Sequence, residues 1–408
     1  MADPVYLTAQ EAAAELNVSP ATLYAYVSRG MIRSESVGQR RRKRYHAEDV
    51  RALMHRRAHR QDNRQAVATS LDFGAPVLDS AITLIGDGGF YYRGRNAVQL
   101  ASTAGLEQIA TLIWDCADRD PFAEPLPAAV TERLSEIRPI LRALTPASRM
   151  AAALALVADF DRQVESRSGP LAPVVAARIV RCLGLVGADR ADADGMAIHT
   201  LLAEGFDCPA AADLVRIALV LMADHEFNAS TFTVRIAAST RANLYQAVIA
   251  GLAALAGARH GGLVDRVTAM LDEMLGAPDP ADRVISRLRR GDSLPGFGHP
   301  LYPNGDPRAV ALLAALERDQ GDNPTVRQGL ALTEAAMEVS GLAPNIDFAN
   351  ALMTTALGLP LGAAFTVFAV GRSVGWVGHA LEQYATRRLI RPRARYIGEP
   401  PDGAVRGE

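Results

Sequence analysis

Four short clusters hold polar side chains that no helical hydrophobic period accounts for. They are His225-Glu226-Phe227-Asn228-Ala229-Ser230, His260-Gly261-Gly262, Gly296-Phe297-Gly298-His299 with Tyr302 and Asp306-Pro307-Arg308 beyond it, and Pro344-Asn345-Ile346-Asp347-Phe348. Taken singly, each has a structural reading. A histidine beside an apolar helix is commonly a satisfied core residue. Asp306-Pro307 suits a helix start with proline at its first position, and Asp347 suits the cap of a following helix. Taken together, three histidines, one carboxylate and several arginines make a proton-transfer set with anion clamps. Histidine has the side-chain pKa nearest neutrality, and the arginine fork matches a carboxylate. Such a set suits carbon-acid chemistry on a polycarboxylate. A base takes a proton next to a carbonyl while a neutral donor stabilises the enolate. Zinc held by the three histidines is the rival reading, but no i, i+4 histidine pair and no nearby second acid supports it. The glycines beside His260 and His299 let backbone approach a ligand closely.

These clusters sit between helical segments. Apolar residues recur at i, i+3, i+4 over Leu106–Asp115, Arg149–Val164, Pro173–Leu185, Ala210–Ala223, Leu244–Ala256 and Val264–Leu275. Only Ser80–Arg93 alternates like strands, around Gly86-Asp87-Gly88-Gly89. Strands and helices do not alternate, so a parallel sheet is disfavoured. Neither a Gly-x-Gly-x-x-Gly turn nor a phosphate-loop lysine is present. Lys43 is the only lysine, which argues against Schiff-base chemistry in the body. Residues 348–371 carry no charge. That is long enough to span a bilayer, but the run holds Asn350, Pro360 and several glycines and reads as a buried helix pair. Three widely separated cysteines, Cys116, Cys182 and Cys208, build no disulfide framework. With no apolar leader after Met1, a cytoplasmic chain is expected.

The chain of 408 residues suggests two or three domains. Its 49% hydrophobic and 22% charged residues exclude a disordered chain. The net charge of −2 divides unevenly: residues 1–64 hold 12 Lys+Arg against 7 Asp+Glu, or +5, leaving −7 for the remainder. The basic head opens with Thr8 three residues before Glu11, a capping box. A short helix follows, broken at Asn17–Pro20, then a second helix from Ala21 to about Arg29. A hairpin wing fits Ser36–Tyr45 with Gly38 at the turn, and a helix fits Ala47–Arg57. A polar linker is expected at His59–Ala68. The head resembles the MerR-type helix-turn-helix in Thr8-x-x-Glu11-Ala12-Ala13, Val18-Ser19-x-x-Thr22-Leu23-Tyr24, Arg29-Gly30-Met31-Ile32 and Arg44-Tyr45 before Glu48-Asp49-Val50. The resemblance implies a recognition helix at Pro20–Ser28 and a wing on phosphates. Candidate DNA contacts are Thr22, Tyr24, Arg29, Arg40, Arg41, Arg42, Lys43 and Arg44. A module for subunit assembly is the alternative.

The body clusters, in their order, resemble the citrate synthase family. Further matches are Tyr92-Arg93-Gly94, Gly371-Arg372-Ser373-Val374-Gly375-Trp376 with Leu381-Glu382-Gln383, and Ile390-Arg391-Pro392-Arg393 with Tyr396 and Gly398. The resemblance implies a mainly α fold: a two-domain all-helical body with a small β-hairpin, preceded by a winged helix-turn-helix. It implies residues 1–64 as the helix-turn-helix domain and 65–408 as the body. Within the body, a large domain takes about 65–210 and 315–408, and a small one 211–314. Asp347 would take a methyl proton from acetyl-coenzyme A, His260 would stabilise the enolate, and His299 would polarise the keto group of oxaloacetate. His225, Arg308 and Arg372 would hold oxaloacetate, and Arg391 would reach across a homodimer. The implied reaction is a condensation to citrate and coenzyme A by an acyltransferase, with no metal or other cofactor. Propionyl-coenzyme A as donor, giving 2-methylcitrate, and a DNA-binding regulator with a metabolite-sensing body are the alternatives.

The pattern departs from the family at two places that commonly carry a basic residue, here Pro300 and Pro303. For coenzyme A, Gly296 and Gly298 supply close backbone, and Arg287 and Arg290 are the nearby cations offered to its phosphates.

Overall fold

The computed structural model describes residues 6–16, 18–28, 31–37, 42–51, 53–54, 78–86, 89–193, 195–276, 279–394 and 396–399. The chain divides into two compact units, Met1–Asp79 and Ser80–Glu408.

In the first unit, helices Ala9–Leu16 and Pro20–Ser28 are joined by a tight turn. The capping box forms: the Thr8 amide donates to Glu11 Oε2 at 2.7 Å, and the Glu11 amide donates to Thr8 Oγ1 at 3.3 Å. Strand Arg42–His46 lies between Tyr6–Leu7 and Ser34–Val37 in an antiparallel sheet, with Ser34 opposite Tyr45 and Glu35 opposite Arg44. Residues 47–51 are helical. Ala12, Ala13, Leu16, Leu23, Ile32, Tyr45, Val50 and Leu53 close a small core. Arg33 grips Asp49 through its amide and two side-chain nitrogens, which pins the last helix to the strand. The expected linker at 59–68 and the turn residue Gly38 lie outside the described residues.

Among its described residues, the second unit is mainly helical, with one small sheet, Thr83–Gly86, Gly89–Tyr92 and Arg95–Asn96. The expected hairpin is thus present, with Ile85 opposite Phe90. Five of the six expected helices appear within a few residues of their predicted bounds. The segment expected over 149–164 ends earlier. Its helix is Pro146–Val157, followed by a 3₁₀ turn at Ala158–Phe160. Asp161 turns the chain there, accepting the Gln163 amide at 2.9 Å and the Arg178 guanidinium at 2.8 Å.

The uncharged run resolves into helix Ile346–Ala356, a turn, and the start of helix Ala363–Thr386. Among the described residues, no helix is long and apolar enough to cross a membrane. Helix Ala363–Thr386 is buried along most of its length and runs through the core. Its glycines allow close crossings: a Cβ on Gly375 would stand 2.4 Å from both Ala223 O and Asp224 Oδ1. Low aromatic content and small residues at such crossings belong together.

Candidate active site

Helix ends carry the candidate residues. Helix Ala212–Leu221 stops just before His225. The next helix, Ala229–Ser239, starts on Asn228, whose side chain accepts the Thr231 amide. Arg308 stands at the start of helix Pro307–Gln320, capped by Asp306, and Asp347 at the start of Ile346–Ala356, capped by Asn345. Asn345 also sets the distance between two clusters. Its amide donates to Gly296 O at 2.8 Å and its side-chain nitrogen to Gly298 O at 3.0 Å, while the Gly298 amide donates to Ala343 O at 2.7 Å. Phe297 and Pro344 pair as an isolated bridge. Gly296 holds φ +86°, and a Cβ there would crowd Phe348 and Val267. A residue with a side chain would strain this junction.

Each of the three histidines has one ring nitrogen committed. His225 Nε2 lies 2.9 Å from the Tyr302 hydroxyl. His260 Nε2 lies 2.7 Å from Ser230 Oγ, which has Asn228 Oδ1 at the same distance and accepts the Trp376 indole N–H at 3.1 Å. His299 Nδ1 accepts the Leu301 amide at 3.1 Å, which puts the proton of the neutral ring on Nε2. The His225 and His299 rings meet edge to face with centroids 5.2 Å apart. Tyr302 packs against both.

Burial and two cations govern the protonation states. Burial, then Arg308 and Arg372, hold His225 well below the usual histidine range. Burial with Arg372 brings His260 to about 4, and burial with Arg308 brings His299 to about 4. All three are therefore neutral at physiological pH. Asp347 moves the other way. Burial raises its carboxyl to about 6, with Arg308 and Arg372 opposing and Asp306 adding to the rise. Its Oδ1 is shut off from solvent and, among the described residues, has no hydrogen-bond partner. That suits a carboxylate waiting for a proton.

The two buried arginines differ. Arg308 is locked to Asp306 by Nε–Oδ1 at 2.9 Å and Nη2–Oδ2 at 2.8 Å. Burial would raise Asp306, but this pair and the Ile346 amide hold it below the usual carboxylate range. Arg372 donates from Nε to Met222 O at 2.9 Å and, among the described residues, pairs with no carboxylate. A cavity of about 110 Å³ opens beside His299, between residues 298–306 and 341–344.

The structure thus gathers His225, His260, His299, Arg308, Asp347 and Arg372 into one electrostatically linked group. Arg391 is exposed on the C-terminal segment and meets none of these side chains among the described residues. Gly296 and Gly298 line the junction described above. Arg287 and Arg290 are both engaged with Glu273, and Arg290 with Asp292 at 3.0 Å as well. In the first unit, Tyr24, Lys43 and Arg44 are exposed, and the Arg44 guanidinium lies 4.9 Å from the Tyr6 ring centroid. Thr22 bonds Ser19 at 2.9 Å. Strand residue Arg42 pairs with Val37 in register. Arg29, Arg40 and Arg41 lie outside the described residues.

Sequence reasoning missed Asp224, His379 and the anchoring roles of Ser230, Asn345 and Tyr302. The available signals were short-range: Asp224 adjoins His225, and His379 lies seven residues, two helical turns, beyond Arg372.

Known proteins resemble both parts of the chain. Residues 72–393 match the family model "Citrate synthase, C-terminal domain", and residues 6–58 match "Helix-turn-helix domain". MerR-type is therefore only an approximate label for the head. A citrate synthase of Haloferax volcanii is 35% identical over 370 residues, covering 80% of this chain and 94% of that protein. The crystal structure of citrate synthase from Pyrobaculum aerophilum superposes with a TM-score of 0.69 at 26% identity, covering 81% of this chain and 92% of that one. A ternary complex of citrate synthase from Thermoplasma acidophilum with carboxymethyl coenzyme A and oxaloacetate gives 0.67 at 24% identity, covering 83% and 98%. That likeness concerns the fold.

Proposed function

The chain belongs to the citrate synthase family, and from that premise we propose how its residues divide the work. The reaction joins an acetyl thioester of coenzyme A to oxaloacetate and releases citrate and coenzyme A. It is an acyl transfer in which the acyl group becomes an alkyl group; no metal or other cofactor is needed, and coenzyme A enters with the substrate.

Arg372 and Arg308 receive the oxaloacetate carboxylates. With the Tyr302 hydroxyl donating to Nε2, His225 offers its Nδ1 proton to the same ligand. Arg391 of a second subunit completes the clamp in a homodimer. Asp347 takes a proton from the thioester methyl group. His260, kept neutral by burial and Arg372, stabilises the enolate oxygen without adding a charge. His299 offers Nε2–H to the keto oxygen of oxaloacetate and protonates it as the new C–C bond forms. Water then cleaves the citryl thioester. A dry site matters because an acetyl thioester is a weak carbon acid. Closure of a small domain, residues 211–314, over a large domain, 65–210 and 315–408, would exclude water. Gly296, Gly298, Arg287 and Arg290 take coenzyme A; a phosphate at the two arginines competes with Glu273. The reaction is placed in the cytoplasm.

The observation that carries this reading is Asp347: a shielded carboxylate oxygen without a hydrogen-bond partner among the described residues, grouped with three neutral histidines and two buried arginines. The test mixes the purified protein with oxaloacetate and either acetyl- or propionyl-coenzyme A and follows thiol release. Turnover that disappears in Asp347→Asn is the expected result. No turnover with either thioester would sink the reading, and a preference for the propionyl thioester would redirect it to 2-methylcitrate.

We further propose that the head binds DNA. The exposed Tyr24 on helix Pro20–Ser28, the exposed Lys43 and Arg44 on the neighbouring strand, and the net +5 of residues 1–64 support this. Binding measured by fluorescence anisotropy on mixed-sequence duplexes should fall steeply between 50 and 200 mM salt, roughly 10³-fold if six phosphates are engaged. Lack of binding at the low-salt end would favour an assembly role instead.

A further inference from the structure

Helix Ala363–Thr386 presents Arg372, Gly375 and His379 at i, i+3 and i+7, one stripe along its surface. All three meet the turn that carries His225. Arg372 Nε donates to Met222 O at 2.9 Å, and the Gly375 amide donates to Ala223 O at 3.0 Å. His379 Nε2 lies 3.2 Å from Asp224 Oδ2. Both side chains of that last pair are completely buried.

Asp224 gathers further donors from other elements. Thr83 of the small sheet donates its hydroxyl at 2.5 Å, and the Glu226 amide donates at 3.2 Å. The Asp224 amide in turn donates to the Tyr92 hydroxyl at 3.2 Å, and that hydroxyl donates to Val220 O at 2.9 Å. Glu226 has φ +53°, a left-handed conformation that a glutamate adopts only under constraint. The carboxylate holding its amide is such a constraint. Burial would raise Asp224, but His379, Arg372 and Thr83 hold it below the usual carboxylate range. A buried charge of this kind is costly to keep, and the reaction itself assigns it no step. On the other side of His379, Nδ1 lies 3.8 Å from Glu382, which is bonded to Arg235.

We propose that Asp224 and His379 are a positioning pair that aims His225 at the oxaloacetate carboxylate without touching the substrate. The inference rests on the reading of His225 as an oxaloacetate ligand. Asp224 directly precedes His225 in the turn 222–226. With His379 removed, Asp224 loses its buried partner, the Glu226 conformation loses support, and His225 loses its register with Arg372. Coenzyme A does not depend on that register, so the two substrates should respond differently.

The experiment uses the full chain. Oxaloacetate binding is measured by titration calorimetry, and KM for each substrate by thiol release. His379→Leu should weaken oxaloacetate about tenfold, the scale of one unpaired buried polar group, while KM for acetyl-coenzyme A stays the same. His379→Gln places an amide donor near the lost Nε2 and should restore most of the affinity. Asp224→Asn keeps the shape of the side chain and should also weaken oxaloacetate; it serves if His379→Leu does not fold. Unchanged oxaloacetate affinity in a folded His379→Leu or in Asp224→Asn overturns the proposal. So does a parallel loss of both substrates that glutamine fails to rescue, because that pattern marks a general packing defect. A wild-type chain that binds no oxaloacetate removes the assigned role of His225 first, and this pair with it.

Discussion

At the scale of single residues, burial sets the chemistry more than composition does. His260 and His299 are held near 4 and Asp347 near 6, an inversion of the usual order of histidine and carboxylate. A base must be ionised to accept a proton, so activity should fall as pH drops through about 6. The histidines stay neutral across that range. A kcat/KM profile with an acid limb near pH 6 is expected, and a limb near 4 would remove Asp347 from the role of base. The same shift bears on stability. Between the unfolded value of 3.8 and about 6 the folded chain holds a proton that the unfolded chain has released, so stability falls as pH rises through this window. Asp347→Asn should therefore melt higher than wild type at pH 8, by roughly 2–4 °C, while losing about 10²–10⁴-fold in kcat. The residues proposed to react stood out in the sequence because glycine and asparagine flank them in recognisable order. Their partners were not. Tyr302 reaches His225 across 77 residues and Asp224 reaches His379 across 155, distances over which local spacing carries no signal. The offer of Arg287 and Arg290 to a phosphate overlooked Glu273 for the same reason.

At the scale of elements, the close crossing of helix Ala363–Thr386 over residues 219–224 aligns the site. Gly375→Ala would put a methyl group 2.4 Å from a carbonyl oxygen and a carboxylate oxygen. Neither neighbour can move freely, since both belong to the pinned turn. The substitution should cost about 1–3 kcal/mol, read as a lower urea midpoint, and should weaken oxaloacetate before acetyl-coenzyme A. A midpoint equal to wild type would show that the crossing relaxes. Helix positions were legible from their hydrophobic period, and the hairpin from its glycine turn. The early end of Pro146–Val157 was not, because the Asp161 carboxylate that turns the chain there is held partly by Arg178, a partner distant in sequence.

At the scale of the whole molecule, every residue assigned to catalysis lies in Ser80–Glu408 and every residue assigned to DNA lies in Met1–Asp79. Removing residues 1–64 should therefore leave kcat within about twofold of the full chain while abolishing DNA binding; a collapse of turnover would tie the head to catalysis or assembly. The charge is also unevenly divided along the chain, a net of −2 concealing +5 for residues 1–64 and −7 for the rest. The −7 portion still suits anionic substrates, because Arg308 and Arg372 are buried where local potential outweighs the overall sign. Acyl thioesters transfer their acyl group to primary amines as well as to carbon. Lys43, exposed on its strand, is the only side-chain amine in 408 residues. The catalytic unit can thus stand in a high concentration of its own activated substrate with no lysine of its own to be acylated.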